Sequence, residues 1–196
     1  MIPQGRSYSQ FKLKDLISKA GVKLIEVFFR HADGIDLHYV HMGEAALYYD
    51  PEKYEAQDII SMFGEIGFEV LTDPEDELVE RIRIAAIELI RFAGNVNSLI
   101  RNSDYISERL EMPYDKLSRV FSKKSGKTLE TFLIQLKIEK AKELIMSEKY
   151  TLSEISYMLD YSSVQYLSNQ FKKVTGITVS QFKDDPGMHL IPLEEL

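Results

Sequence analysis

The stretch YLSNQFKKVTG, residues 166–176, restates a phrase met fifty residues earlier, KLSRVFSKKSG at residues 116–126. Leu117/Leu167, Ser118/Ser168, Phe121/Phe171, Lys123/Lys173 and Gly126/Gly176 match at one offset, and Thr128/Thr178 continues it past each glycine. One unit has been used twice. On a helical wheel the first copy turns Leu117, Val120 and Phe121 one way and Asp115, Ser118, Arg119 and Ser122 the other. The second copy divides alike, with Leu167, Phe171 and Val174 inward and Gln165, Ser168, Asn169 and Lys172 outward.

A shorter helix precedes each copy. Ile106, Ser107 and Leu110 in SDYISERLEM correspond to Ile155, Ser156 and Leu159 in TLSEISYMLD, at an offset one residue shorter, so the difference falls in the intervening turn. A short helix, a tight turn and an amphipathic helix with a polar outer face form the helix-turn-helix pattern, whose second helix lies in the DNA major groove. Between the copies, TLETFLIQLKIEKAKELIMS (128–147) places apolar side chains at Phe132, Leu133, Leu136, Ile138 and Leu144. At ~1.5 Å per residue such a helix spans roughly 30 Å, near the ~34 Å between successive major grooves on one side of the duplex. The spacing predicts two readers held on adjacent turns.

Charge is distributed to match. The chain of 196 residues is acidic overall, with 24 Lys and Arg against 31 Asp and Glu. Residues 1–100 hold 10 basic and 17 acidic side chains, 101–183 hold 14 and 10, and 184–196 hold four acids and no base. The excess of positive charge is thus confined to the repeated segment, where a polyanion would bind. There is no cysteine, which excludes disulfides, thiolate nucleophiles and thiolate metal sites. No apolar run reaches the ~18 residues a membrane span needs, and MIPQGRSYSQ has no signal-peptide core. A cytoplasmic protein that makes no membrane contact and uses no cofactor is expected.

The front of the chain follows another rhythm. GIDLHYVH (34–41) and EAALYYD (44–50) read as strands joined at Met42-Gly43. Residues 22–32 and 54–66 carry helical apolar spacing (Val22, Ile25, Phe28, Phe29; Ile59, Ile60, Phe63, Ile66). FEVLT (68–72) reads as a further strand, and one over about 10–16 completes β-α-β-β-α-β. TDPEDE (72–77) marks a boundary. Beyond it helices are expected at about 76–93, 103–111, 113–124, 128–147, 151–159, 162–174 and 178–184, with caps at Ser103, Thr128, Thr151 and Ser162 and ends at Gly126 and Gly176. The predicted organisation is a ferredoxin-like α+β domain over 1–73, an all-α domain with two helix-turn-helix motifs and a spacer helix over 74–184, and an acidic tail over 185–196 that docks on the protein's own surface.

His31, His38 and His41, with Glu44 nearby, are the one constellation that suggests a metal. Strand alternation sends His38 and His41 to opposite faces, so each has an ordinary role on a half-buried sheet. No GxGxxG, phosphate loop or nucleophile elbow is present, and no enzyme is expected.

The two motifs, MPYDKLSRVFSKKSGKTLETFLIQLKIEKAKELI and LSEISYMLDYSSVQYLSNQFKKVTGITVSQFK, together resemble the DNA-binding domain of AraC-type transcription regulators over residues 103–183. The front segment ALYYDPEKYEAQDIISMFGEIGFEV (46–70) resembles the heavy-metal-associated, ferredoxin-like domain. That domain's CxxC would fall at Lys19–Val22, where this chain has no ligand, so the resemblance supports the fold and argues against metal transfer. The AraC resemblance implies base contacts from Asp115, Ser118 and Arg119 in the first motif and from Val164, Gln165, Tyr166, Ser168 and Asn169 in the second. Arginine suits guanine, glutamine or asparagine suits adenine, and serine suits either. Lys123, Lys124, Lys172 and Lys173 are the expected phosphate contacts. The family often has Gly-Phe where this chain has Asp160-Tyr161. The partners the resemblance implies are double-stranded DNA and RNA polymerase; a second copy of the chain, joined through the N-terminal domain, is a separate expectation. A metal- or ligand-sensing protein with the DNA domain as its output is the rival reading.

Overall fold

The structure, a computed structural model, describes residues 5–91, 102–186 and 190–196. The end of the helix expected over 76–93 and residues 187–189 of the tail lie outside them. Two compact units follow one another, Met1–Ile84 and Ala85–Leu196.

In the first unit, strand β1 (Ser7–Leu13) is followed by helix α1 (Lys19–Arg30), strands β2 (Ile35–His41) and β3 (Glu44–Tyr49), helix α2 (Ala56–Glu65) and the short strand β4 (Val70–Leu71). The sheet order is β2-β3-β1-β4 and every neighbouring pair is antiparallel. Alternation along β1 and β3 sends Phe11, Leu13, Ala45, Leu47 and Tyr49 inward, where they meet Ile25 and Phe29 of α1 and Ile59 and Phe63 of α2. Phe63 is ringed by Phe11 at 5.4 Å and Phe29 at 5.0 Å, in tilted geometries that aromatic pairs favour. The hairpin between β2 and β3 turns at Gly43, whose φ of +77° is open to glycine.

Three details differ from the sequence reading. β1 starts and ends three residues early, because Asp15 adopts φ +59° and turns the chain out of the sheet. Its N–H donates to Glu80 Oε1 at 2.9 Å and its carboxylate pairs with Arg83 at 2.6 Å, both from helix α3 (Pro74–Arg91). α1 starts at Lys19 rather than 22, since Ser18 caps it by accepting from the Gly21 N–H; Lys19–Val22 are therefore a first helical turn and not a loop. His38 sits at a register break, with Leu37 opposite Leu47 but Tyr39 opposite Ala46. This bulge undoes the strict alternation. His38 contacts Tyr8 and Tyr48 of the outer face, with ring centroids at 6.0 and 5.3 Å, and His41 stacks on Tyr39 of the same face. Both histidines thus share the outer face, and the expectation of opposite faces is corrected. Among the described residues, no group of three or more His, Asp or Glu side chains is placed to hold a metal ion.

Among the described residues, the second unit holds the end of α3 and then α4 (Asn102–Leu110), α5 (Tyr114–Ser125), α6 (Leu129–Met146), α7 (Leu152–Met158), α8 (Val164–Thr175) and α9 (Val179–Asp184). α6 has residues buried all round, which suits a helix enclosed on several sides. It touches α5 on one side of the repeat and α7 and α8 on the other. All five apolar residues expected to face a core, Phe132, Leu133, Leu136, Ile138 and Leu144, are buried. Glu139 and Lys142, also enclosed, pair with each other at 2.5 Å. Ile138, Leu144, Ile155, Leu159, Leu167, Phe171 and Phe182 form one cluster around the second copy. In the tail, the Ile191 N–H donates to Glu139 Oε2 at 3.3 Å and Lys127 Nζ donates to the Leu196 main-chain oxygen. No described helix is long and apolar enough to cross a membrane.

Candidate nucleic-acid interface

The repeat visible in the sequence is repeated in the hydrogen bonding. After α4, the Met112 N–H returns to Ser107 O at 3.1 Å; after α7, the Tyr161 N–H returns to Ser156 O at 2.8 Å. Both closures run through a residue with positive φ, Glu111 and Asp160. Such a Schellman-like ending stops the first helix and aims the chain into the second. α5 and α8 each run twelve residues and stop at a left-handed glycine, Gly126 and Gly176. The likeness extends past the glycines. Ser125 Oγ donates to Phe121 O and Lys127 O, and Thr175 Oγ1 to Phe171 O and Ile177 O. Phe121 then packs on Phe132 at 5.3 Å, and Phe171 on Phe182 at 5.5 Å. The Phe132/Phe182 match lies at the same offset of fifty as Phe121/Phe171 and extends the sequence repeat to the helix that follows each reader.

The caps are partly as expected. Thr128 accepts from Thr131 N–H and Thr151 from Glu154 N–H. α8 is capped by Ser163, accepting from Tyr166 N–H at 3.1 Å, not by Ser162. Ser103 lies inside α4. At α8 the neighbouring serine, one residue on, takes the extended backbone that a cap requires.

Each expected contact residue sits on α5 or α8. Asp115 and Arg119 are exposed, with Ser118 half-buried between them. On α8, Gln165, Tyr166 and Asn169 are exposed and Val164 and Ser168 are half-buried. Leu117, Phe121, Leu167 and Phe171 are buried on the opposite faces. Gln165 Nε2 donates to Asn169 Oδ1 at 2.9 Å, so the two amides form one linked surface instead of two independent probes. Tyr166 stands edge-on to Tyr161, with centroids 5.8 Å apart, and its hydroxyl accepts from Gln170 Nε2 at 3.3 Å. Lys123, Lys124, Lys172 and Lys173 occupy the last turns, where cations also favour the helix dipole. The arrangement offers paired donors and acceptors along two helices with ammonium groups at their ends.

Sequence reasoning passed over several residues beside these helices. Tyr114, the first residue of α5, donates to Glu130 Oε1 at 2.9 Å, and burial, together with this contact, holds its phenol well above the usual range. Lys137 Nζ stands 5.5 Å from the Tyr161 ring centre. Burial raises the Tyr161 phenol to about 12. Tyr114 and Lys137 belong to no apolar stripe and no repeat match, and Tyr161 stands out only as a departure from the family, so their contacts are revealed by neighbours across the fold.

Residues 106–185 match the family described as a helix-turn-helix domain. The xylose operon regulatory protein of Escherichia coli strain K12 is 27% identical over 133 residues, 58% of this chain and 34% of its own length. An uncharacterized HTH-type transcriptional regulator of Pseudoalteromonas carrageenovora is 28% identical over 82 residues, 42% of this chain and 48% of that one. The chain thus spans between a third and a half of the length of these curated relatives. The C-terminal domain of AraT, a response regulator from Geobacillus stearothermophilus, superposes at a TM-score of 0.47 with 24% identity, covering 61% of this chain and 89% of that domain. Both relatives carry regulators' names, and the segment that matches the helix-turn-helix model, residues 106–185, coincides with the doubled unit.

Proposed function

We propose that this chain is a sequence-specific DNA-binding transcription regulator in which α4–α5 and α7–α8 are two helix-turn-helix units reading successive major grooves. The observation that carries the reading is the duplication itself: one helix, turn and amphipathic helix, closed by the same hydrogen bond and ended by the same glycine, on two sides of α6. A single amphipathic helix is ordinary; two copies across one spacer suit a duplex whose grooves recur. Asp115, Ser118, Arg119, Val164, Gln165, Tyr166, Ser168 and Asn169 are assigned to bases, and Lys123, Lys124, Lys172 and Lys173 to phosphates.

Residues 1–73 are read as a ferredoxin-like module, on the strength of the strand order and the helices that link β1 to β2 and β3 to β4. Residues 74–184 are the DNA-binding part, with the acidic tail at 185–196. In this reading the front module regulates, or joins two copies of the chain, and RNA polymerase is the other protein partner. A monomer at micromolar concentration in equilibrium sedimentation would count against the joining role.

Selection of bound duplexes from a random pool by the full chain tests the central proposal. Enrichment of two short elements about one helical turn apart (~10 bp) is the expected result. An unenriched pool overturns it.

A further inference from the structure

A cavity of about 250 Å³ opens at the surface of the helical unit, bordered by the first residue of α5, by Ile134 and Lys137 of α6, and by Tyr161 and Tyr166 of the second repeat. Two of the residues that line it carry an unmatched polar group. The Tyr161 hydroxyl is buried and has no hydrogen-bond partner. Lys137 is half-buried, and among the described residues its ammonium meets only the face of Tyr161 and the more distant charge of Asp160. Burial without a partner is costly for both a phenol and a cation. An anion would satisfy them together.

We propose that this cavity seats one phosphate group of the DNA backbone, held by Lys137 Nζ and, once a turn of the side chain brings it to the cavity, by the Tyr161 hydroxyl. The inference rests on the paired-reader proposal, and it adds a phosphate contact that belongs to neither reading helix. The cavity is bounded by Tyr114 at the start of one reader and by Tyr166 and Gln170 on the flank of the other. Two readers in successive major grooves straddle a stretch of minor groove, and the backbone bordering that stretch runs between them. A phosphate there needs a protonated donor, and a phenol keeps its proton at neutral pH. Burial lowers the Lys137 pKa and Asp160 raises it, so an anion in the cavity would strengthen the lysine's hold on its proton. Two carboxylates also border the space. Glu130 already accepts the Tyr114 hydroxyl at 2.9 Å. Asp160 is the charge that an arriving phosphate must replace as the counter-ion of Lys137.

Duplex binding by the full chain, measured as a function of salt, tests the seat. Lys137→Gln should reduce the steepness of log K against log salt by about 0.9, the value of one phosphate contact, while Lys137→Arg keeps it. Tyr161→Phe should weaken binding to all duplexes by one common factor, and Asp160→Asn should tighten it. Thermal melts of each variant check that the fold survives. An unchanged slope in folded Lys137→Gln overturns the proposal. So does a melting shift produced by inorganic phosphate, lost in Lys137→Gln, with the DNA salt slope intact, because the cavity then serves a free anion. A wild-type chain that binds duplexes without sequence preference, yet loses slope in Lys137→Gln, refutes the paired-reader mechanism and leaves the phosphate seat standing.

Discussion

Glu111 and Asp160 occupy the same place in two copies of one turn. Their φ angles are +54° and +57°, and the residue after each sends its N–H back to a serine carbonyl, Ser107 or Ser156. Neither is a glycine, although the left-handed region disfavours side chains. The turn is therefore imposed by the packing of the helices it joins.

Glycine at either position should stabilise the helical unit. Relief of left-handed strain is worth about 1–2 kcal/mol, and the added freedom of glycine in the unfolded chain takes back about 0.5–1 kcal/mol. Glu111→Gly should gain more than Asp160→Gly, because aspartate tolerates this conformation better. Denaturant unfolding of both variants measures the difference; a loss of stability in each would show that the side chains hold the turn.

Arg119→Ala and Lys173→Ala separate reading from anchoring. Loss of the guanidinium should cost about 1–3 kcal/mol and relax preference at one base position. Loss of the ammonium should weaken binding to every sequence alike and lower the salt slope by about one contact. Equal losses across all sequences for both variants would undo the assigned roles.

Gly43 and Gly67 both have positive φ, +77° and +88°, but only Gly43 is crowded. A Cβ there would collide with Ile84 Cδ1, whereas one at Gly67 meets nothing within 4 Å. Gly67→Ala should cost about 1–2 kcal/mol from the backbone alone, and Gly43→Ala more. Adding Ile84→Val should recover part of the Gly43→Ala deficit in a double-mutant cycle; strict additivity would refute the contact.

Thr151 and Glu154 form a reciprocal cap on α7, with Glu154 Oε2 accepting from the Thr151 N–H at 2.7 Å and Thr151 Oγ1 accepting from the Glu154 N–H at 3.2 Å. Thr151→Ala should cost about 1 kcal/mol. The bonds from Thr151 hold the Glu154 carboxyl below its ordinary range. A depressed folded-state pKa contributes stability that is present above the unfolded value, about 4.3, and is lost as pH falls through the lower folded value. Glu154→Gln should remove that acid-sensitive part, which melting curves across the carboxylate range would detect as a shallower decline.

Much of the interface was legible because a repeat reports on itself. Leu117, Phe121, Leu167 and Phe171 are buried as their spacing predicts, and Thr128, Thr151, Gly126 and Gly176 bound helices in the expected way. Helical periodicity, capping and left-handed endings are local, so a few consecutive residues suffice to encode them. The strand-rich front was legible in order and less so in detail. One bulge at His38 carried both histidines to one face, and one left-handed aspartate ended β1 early, at Leu13. Such shifts depend on the partner strand and on α3, which no local pattern contains.

The sequence alone thus determined the doubled unit, the polar faces of α5 and α8, and the confinement of positive charge to that part of the chain. Tertiary structure alone decided that Tyr114 is held by Glu130 and that the Tyr161 hydroxyl is enclosed near Lys137 without a partner. The reason is physical: periodicity states which side of its own helix a residue occupies, whereas hydrogen-bond partners and cavities arise only where separate helices close on one another.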